Sequence, residues 1–181
     1  MLTTFRKFVG FTVLEYFLKY PTEQIHLNEL AKTLRISSRS AKIYCDLFEK
    51  ENIIHRKIRG NVHLFYTNND HFFVREMKRT YMASVLTAFR LEAISEDCAS
   101  LALYGSHASG TYDEKSDIDL LVIGEEHQVD RKRVVEIMDS LGKEIQLTVI
   151  PIVKWENMKK ANDPFVHNIL RNHMLIKGVD L

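Results

Sequence analysis

The segment LYGSHASGTYDEKSDIDLLVIG, residues 103–124, constrains the fold of this chain more than any other stretch. A hydrophobic run ends at Gly105-Ser106, and a polar loop then leads to a second hydrophobic run that opens with Asp117-Ile118-Asp119. Residues two apart on a strand face the same side of the sheet, so the two aspartates are predicted to project together. Buried carboxylates are costly without cations, and the pair therefore indicates a metal site.

The glycine and serine upstream predict the partner of that metal site. Glycine after a strand allows close backbone approach, and the free N–H groups of a following helical turn bind phosphate. We expect Gly105, Ser106 and Ser116 to bind a nucleotide while Asp117 and Asp119 hold two Mg²⁺ ions. Two such ions about 3.5–4 Å apart form a clamp for in-line phosphoryl displacement.

Taken together, Gly105-Ser106 and Asp117-Ile118-Asp119 resemble the signature of the DNA polymerase β-type nucleotidyltransferase superfamily. The resemblance covers about residues 95–181. It is greatest to the small branch, the minimal nucleotidyltransferases, which includes antitoxin partners of HEPN-domain ribonucleases. It implies that an acceptor hydroxyl attacks the α-phosphate of an NTP, with ATP expected, and that pyrophosphate leaves.

Two positions depart from the superfamily pattern. Its members usually carry a third carboxylate on a later strand, where the best alignment places the neutral Gln146. Glu144 lies two residues earlier on the same face, and it is either the missing acid or a solvated charge at the strand end. Ser109 stands where many small members have arginine. The candidate catalytic residues are therefore Asp117, Asp119 and Glu144.

The C-terminal half alternates predicted strands and helices. SLALYG, DIDLLVIG and EIQLTVIP are strand candidates, and VDRKRVVEIMDSLG has the periodicity of a helix. We predict a small α+β domain on a mixed sheet. Trp155 is expected to pack within it, and His107 is expected on the surface of the loop.

The N-terminal half has the element order of a winged helix-turn-helix domain. Helical periodicity covers residues 4–20 and ends at Pro21, and two further helices follow in IHLNELAKTLRI and SSRSAKIYCDLFEKENII. A hairpin with a turn at Gly60-Asn61 completes the order. The pattern over about residues 4–68 resembles the winged-helix transcription regulators.

This resemblance implies binding to double-stranded DNA through the third helix and the hairpin. The hairpin segment, residues 52–69, contains no acidic residue. Short polar and arginine side chains reach base edges and a basic wing meets phosphates. A protein-interaction role remains the alternative. The candidate DNA-binding residues are Ser38, Arg39, Ser40, Lys42, Arg56, Lys57 and Arg59.

One long helix is predicted between the two halves. HFFVREMKRTYMASVLTAFRLEAI has hydrophobic residues at four-residue steps. Residues 70–93 either form a homodimer contact or cover the core of the first domain. The predicted organisation is a winged-helix domain over residues 1–69, a linking helix over 70–94 and a nucleotidyltransferase domain over 95–181.

Charge and cysteine content agree with this division. Residues 1–92 carry a net charge of +6 and residues 93–181 a net charge of −5, which favours a polyanionic partner for the first part. Cys45 and Cys98 lie too far apart in the sequence for a metal-binding or redox motif. We expect them to be packing residues of a cytoplasmic protein rather than a disulfide. The apolar run after Arg6-Lys7 is interrupted by Glu15 and predicts a core helix rather than a signal peptide or a membrane span.

Two functions follow from the sequence. The first is a Mg²⁺-dependent nucleotidyltransferase that transfers a nucleoside monophosphate, with AMP expected, to a protein or small-molecule hydroxyl and carries a DNA-binding domain. The second is a nucleotide-binding transcriptional regulator or antitoxin that binds NTP or docks a toxin without catalysis. A competent acid at residue 144 favours the enzyme, and a lone Gln146 favours the regulator.

Overall fold

The computed structural model describes residues 2–181, which divide into two units. The first unit runs to Ser84 and also includes the short segment Tyr112–Glu114. The second unit consists of Val85–Thr111 and Lys115–Leu181.

The first unit has the predicted order of helices followed by a hairpin. Its three-stranded antiparallel sheet has the order β1-β3-β2. The confirmed hairpin turns at Gly60, whose φ of +58° favours glycine. The elements are α1 (Leu2–Phe5), α2 (Val9–Lys19), β1 (Ile25–His26), α3 (Leu27–Leu34), α4 (Ser38–Lys50), β2 (Ile54–Arg59) and β3 (Val62–Thr67).

Two local features account for the helix boundaries in this unit. The helix predicted over residues 4–20 is interrupted, because Phe8 is extended and α2 begins only at Val9. Ser37 caps α4, since its hydroxyl accepts a hydrogen bond from the Ser40 N–H at 3.0 Å. Ala41 and Cys45 of α4 are fully buried, and Cys45 belongs to the core with residues of α2, α3 and the sheet.

The single helix predicted up to residue 94 is shorter than expected. Helix α5 spans Phe72–Ala88, and a separate 3₁₀ turn spans Leu91–Ile94. Arg90 between them has a left-handed backbone with φ of 51°. Leu91 and Ile94 are fully buried after this turn. Hydrophobic burial of the two side chains therefore overrides the continuing helical pattern.

The second unit is built on a mixed four-stranded sheet of order β6-β5-β4-β7, as predicted. The central pair β4·β5 is antiparallel, β5·β6 is parallel, and β7 pairs antiparallel with β4. The elements are β4 (Ser100–Tyr104), α6 (Gly105–Ser109), β5 (Ile118–Ile123), α7 (Arg131–Leu141), β6 (Ile145–Ile150), α8 (Ile152–Lys160), α9 (Pro164–Arg171) and β7 (Met174–Gly178).

One face of this sheet packs against α8 and α9. Leu121 and Ile123 of β5 cluster there with Trp155 of α8 and Ile169 of α9. Trp155 is 2% exposed, which confirms its predicted packing role. Because side chains two apart share a face, Asp119 points to the same side as Leu121.

The segment Tyr112–Glu114 belongs to the first unit through specific hydrogen bonds. The Tyr112 hydroxyl donates to the Leu18 carbonyl at 2.9 Å, and the Glu114 carboxylate accepts from the Thr22 N–H at 2.7 Å. Buried Lys78 donates to the Tyr112 carbonyl at 2.7 Å, and burial lowers its pKa to about 8. Three hydrogen bonds thus hold residues 112–114 in the first unit.

Among residues 2–181, no helix combines the length and the apolar character that crossing a bilayer requires.

Candidate active site

Gly105 and Asp119 lie side by side, at the end of β4 and the start of β5. Asp119 on β5 pairs with Tyr104, the last residue of β4, so it lies beside the turn that begins at Gly105. A Cβ atom on Gly105 would lie 2.2 Å from Oδ2 of Asp119. Gly105 also has a φ of +70°. Glycine is therefore favoured here by its backbone conformation, and it leaves the Asp119 carboxylate in place.

The Asp119 carboxylate lies at the entrance of β5, close to Asp117. Both residues are half-buried, and Asp117 immediately precedes the strand. Burial, and secondarily the charge of Asp117, raises the pKa of Asp119 above its usual value. The pair is therefore electrostatically unfavourable without a cation.

The turn after β4 is fixed by its own hydrogen bonds. The Ser109 hydroxyl donates to the carbonyls of Gly105 and Ser106, each at 3.1 Å, and the Thr111 N–H donates to the Ser106 carbonyl at 2.9 Å. His107, expected on the surface, is instead fully buried. The helical turn of α6 directs it inward, while Gly105 stays exposed.

Sheet register decides which residue lies beside Asp119 on β6. Asp119 pairs with Gln146, and Ile118 pairs with Ile145. The neutral amide thus occupies the position next to the metal-binding candidate. Glu144 lies one residue before β6 and accepts a hydrogen bond from the Ile118 N–H at its backbone carbonyl, at 2.9 Å. Its side chain is exposed, and because residues two apart on an extended chain share a face, we expect it on the face of Gln146.

Ser116 lies half-buried just before the aspartates. Its carbonyl accepts a hydrogen bond from the Lys143 ammonium at 3.1 Å, which brings a positive charge close to the strand entrance. Lys143 belongs to the short connection between α7 and β6, and its position could not be expected from the spacing of residues 105–119.

The donor set around β5 fits a divalent cation held jointly with a substrate. Within the described chain, no cluster of three or more histidine, cysteine or acidic side chains could hold a metal ion. Two carboxylates together with phosphate oxygens and water form the shell that Mg²⁺ prefers. The raised pKa of Asp119 is consistent with a site whose charge is balanced on binding.

A cavity of about 370 Å³ adjoins the glycine turn. Its lining includes Gly105 and Ser109 of the turn, Asn168 of α9 and Asn172, the residue after α9. Sequence reasoning missed this contribution, because Asn172 has a non-helical backbone after the end of α9 and no helical spacing reveals its place beside Asn168.

The predicted DNA-binding residues in the first unit differ in their surroundings. The side chains of Arg39, Lys57 and Arg59 are exposed, as is that of Ser38, and Ser40 is half-buried beside the capping Ser37. Lys42 forms an ion pair with Asp46.

Arg56 contrasts with this exposed set. Its guanidinium pairs with Asp46 and Glu49 and lies 5.0 Å from the centre of the Phe65 ring. These contacts give the guanidinium two carboxylate partners and join β2 to α4.

Comparison with known proteins gives a consistent family for the second half of the chain. The profile of the nucleotidyltransferase domain family matches residues 89–176. Two proteins of Methanocaldococcus jannaschii, each named "Putative protein adenylyltransferase", are similar to this chain. One is 36% identical over 72 residues, which are 39% of this chain and 69% of the relative. The other is 32% identical over 85 residues, which are 45% of this chain and 57% of the relative.

Two solved structures show more distant similarity, each at 15% sequence identity. One is described as a possible transcriptional regulator from Methanosarcina mazei Go1, with a TM-score of 0.34 over 51% of this chain and 82% of that chain. The other is described as a toxin-antitoxin with AMP-PNP, with a TM-score of 0.38 over 54% of this chain and 73% of that chain. Similarity at this level supports no inference about the site.

Proposed function

The chain belongs to the nucleotidyltransferase domain family, and we propose that it is a Mg²⁺-dependent enzyme that transfers AMP from ATP to a hydroxyl group of a protein. The names of the two Methanocaldococcus jannaschii relatives support a protein as the acceptor. The observation that carries the proposal is the contact between Gly105 and Asp119. It brings the candidate phosphate-binding turn next to the candidate metal ligand Asp119.

In this proposal, the phosphate chain of ATP lies along Gly105-Ser106, and the Asp117 and Asp119 carboxylates face it. The acceptor oxygen attacks the α-phosphorus, and the bond from that phosphorus to the oxygen bridging to the β-phosphate breaks. Pyrophosphate leaves with the electron pair. The acceptor proton passes to the Glu144 carboxylate, which lies on the same face as Gln146 and is exposed to solvent.

Asp117 and Asp119 would hold the Mg²⁺ ions, which supply charge stabilisation for the phosphoryl transfer when bound. Ser116 and Lys143 complete the proposed site, because the Lys143 ammonium lies 3.1 Å from the Ser116 carbonyl. A positive charge there favours the binding of an anionic substrate.

The first unit is proposed to bind double-stranded DNA. Support comes from the net charge of +6 over residues 1–92 and from the exposed Arg39, Lys57 and Arg59. Arg59 lies at the tip of the hairpin, where a cation reaches a phosphate without breaking an internal ion pair.

DNA binding is tested by comparing Arg59→Ala with Arg75→Ala, which removes an exposed cation from α5 instead. We expect Arg59→Ala to reduce the slope of log K against log salt by about 1 on mixed-sequence duplex DNA. Arg75→Ala should leave the slope unchanged. Equal slopes for the wild type and Arg59→Ala would argue against a DNA-binding wing.

Gln146 favours a second candidate function, a nucleotide-binding regulator or antitoxin without turnover. Its amide is in register with Asp119, where superfamily members usually have a carboxylate. An amide cannot accept the proton of the acceptor hydroxyl. In this alternative, the site binds Mg²⁺ and ATP as a signal, and Glu144 is a solvated charge.

Binding and turnover are separated by titrating the full chain with a non-hydrolysable ATP analogue and Mg²⁺. We expect saturable binding that requires the metal and is lost in the double variant Asp117→Asn/Asp119→Asn. The control is Asp139→Asn, which removes an exposed carboxylate from α7. This variant should bind the ATP analogue as the wild type does. Binding unaffected by the double variant would contradict the proposed site.

A further inference from the structure

We propose that the cavity between the glycine turn and α9 is the nucleobase pocket, and that Asn168 and Asn172 select adenine. This inference rests on the proposed function, because it takes the phosphate chain to lie at Gly105-Ser106. It adds the part of the site that determines which nucleotide is used.

Position is the first argument. The cavity is lined by Gly105 and Ser109, the same turn to which the phosphates are assigned, and by Tyr104, the strand partner of Asp119. A nucleotide whose phosphates lie along that turn must extend its nucleoside to one side of it. Helix α9 packs on the Asp119 face of the sheet, so the cavity opens on that side.

Size and charge are the second argument. A volume of about 370 Å³ lies within the range of small-molecule pockets. The residues that line the cavity, all in the described part of the chain, are neutral. A phosphate or a charged acceptor would find no counter-charge there, whereas an uncharged base loses little on entering.

The third argument is the chemistry of the walls. An asparagine amide both donates and accepts, which matches the N7 acceptor and the N6 donor of adenine. Asn168 on α9 and Asn172, the non-helical residue that follows α9, both line the cavity. Within residues 2–181, neither side-chain amide hydrogen-bonds another protein group, so both are available to a ligand.

Two aromatic side chains, Tyr104 and Phe165, also line the cavity. Tyr104 and Phe165 meet edge to face, with ring centres 5.8 Å apart. The Tyr104 hydroxyl lies 3.2 Å from Oγ1 of Thr148 on β6, which fixes the ring across the sheet. A rigid aromatic surface of this kind stacks on a base.

The test is titration of the full chain, with Mg²⁺ present, by non-hydrolysable analogues of ATP, GTP, CTP and UTP and by inorganic tripolyphosphate. We expect the wild type to prefer the ATP analogue. Asn168→Ala and Asn172→Ala should each weaken its binding by about tenfold while tripolyphosphate binding stays unchanged. Asn157→Ala, an exposed asparagine on α8, is the matched control and should behave as the wild type.

The outcomes separate this inference from the proposed function. Loss of the adenine preference in Asn168→Ala and Asn172→Ala, with tripolyphosphate binding retained, supports the assignment of the cavity as the nucleobase pocket. A wild type that binds all four analogues equally, or variants that keep its preference, would overturn the pocket and leave the nucleotide site intact. A wild type that binds neither nucleotide nor tripolyphosphate would overturn both.

Discussion

A Cβ atom on Gly105 would lie 2.2 Å from Oδ2 of Asp119, so any larger residue at position 105 would displace the Asp119 carboxylate from its present position. Gly105 has a φ of +70°, and Asp119 is in register with Tyr104 on one side and Gln146 on the other. The sheet therefore sets the distance between the candidate phosphate-binding turn and the candidate metal ligand.

Gly105→Ala is expected to abolish binding of Mg²⁺ and the ATP analogue, because the added methyl group displaces the Asp119 carboxylate. The left-handed backbone adds a destabilisation of about 1–2 kcal/mol. Gly142→Ala is a matched control, since Gly142 has a φ of +63° but no atom within 4 Å of its Cβ position. Titration calorimetry and urea unfolding should show a stability loss in both variants and a binding loss in Gly105→Ala alone. Unchanged binding in Gly105→Ala would contradict the assigned contact.

Asp119→Asn is expected to stabilise the metal-free fold at neutral pH. In the folded state, burial and the charge of Asp117 raise the pKa of Asp119 above its ordinary value of 3.8. The folded protein then binds more protons than the unfolded chain, so Asp119 reduces stability as pH rises from about 4 through the folded pKa. The variant should exceed the wild type in urea midpoint at pH 7, and the difference should vanish below about pH 4.

Added Mg²⁺ provides the second half of that test. It should raise the unfolding midpoint of the wild type and leave that of Asp119→Asn unchanged, since a ligand stabilises only the state that binds it. A higher urea midpoint for the wild type than for the variant at pH 7 without metal would contradict this prediction. It would show that protein groups already balance the charge of the Asp119 carboxylate.

Glu144→Gln is expected to separate binding from catalysis. Its side chain is exposed and lies outside the cavity, so the affinity for the ATP analogue should change less than about twofold. Loss of a general base typically lowers the rate by 10²–10⁴-fold, which we expect for pyrophosphate release. Glu156→Gln, an exposed glutamate on α8, is the control. An unchanged rate of pyrophosphate release in Glu144→Gln would contradict the role of Glu144 and indicate that solvent accepts the proton of the acceptor hydroxyl.

Glu114→Gln is expected to weaken any linkage between nucleotide and DNA binding. Glu114 lies three residues before Asp117 in the chain. Its carboxylate accepts hydrogen bonds from the N–H and the hydroxyl of Thr22. We expect Mg²⁺ and ATP to change DNA affinity at least fivefold in the wild type, with a reciprocal change in ATP affinity. The variant should bind both ligands with a smaller mutual effect, whereas Glu96→Gln should retain the wild-type linkage. DNA affinity that is independent of ATP in the wild type would contradict the linkage.

Most of the second unit could be predicted from the sequence because its signals are local. The strands SLALYG, DIDLLVIG and EIQLTVIP have the expected positions, and the alignment that placed Gln146 beside the aspartates agrees with the observed register. Strand alternation also predicts that Asp117 and Asp119 share a face; this stays a prediction, because Asp117 precedes β5.

Features that depend on tertiary packing could not be predicted. The helix ending at Ala88 follows from burial of Leu91 and Ile94, which no helical period reveals. His107 looks like a loop residue in sequence and is fully buried in the structure. In the sequence, Arg56 is one basic residue among several in the hairpin. Only the structure shows that it pairs with Asp46 and Glu49.

The central claim is tested most directly by incubating the full chain with α-labelled ATP and Mg²⁺ while measuring pyrophosphate release. The account predicts release that requires Mg²⁺, is lost in Asp117→Asn/Asp119→Asn, and is accompanied by label on a protein acceptor. Saturable nucleotide binding without release or labelled protein would contradict the enzyme and leave Gln146 as the mark of a nucleotide-binding regulator.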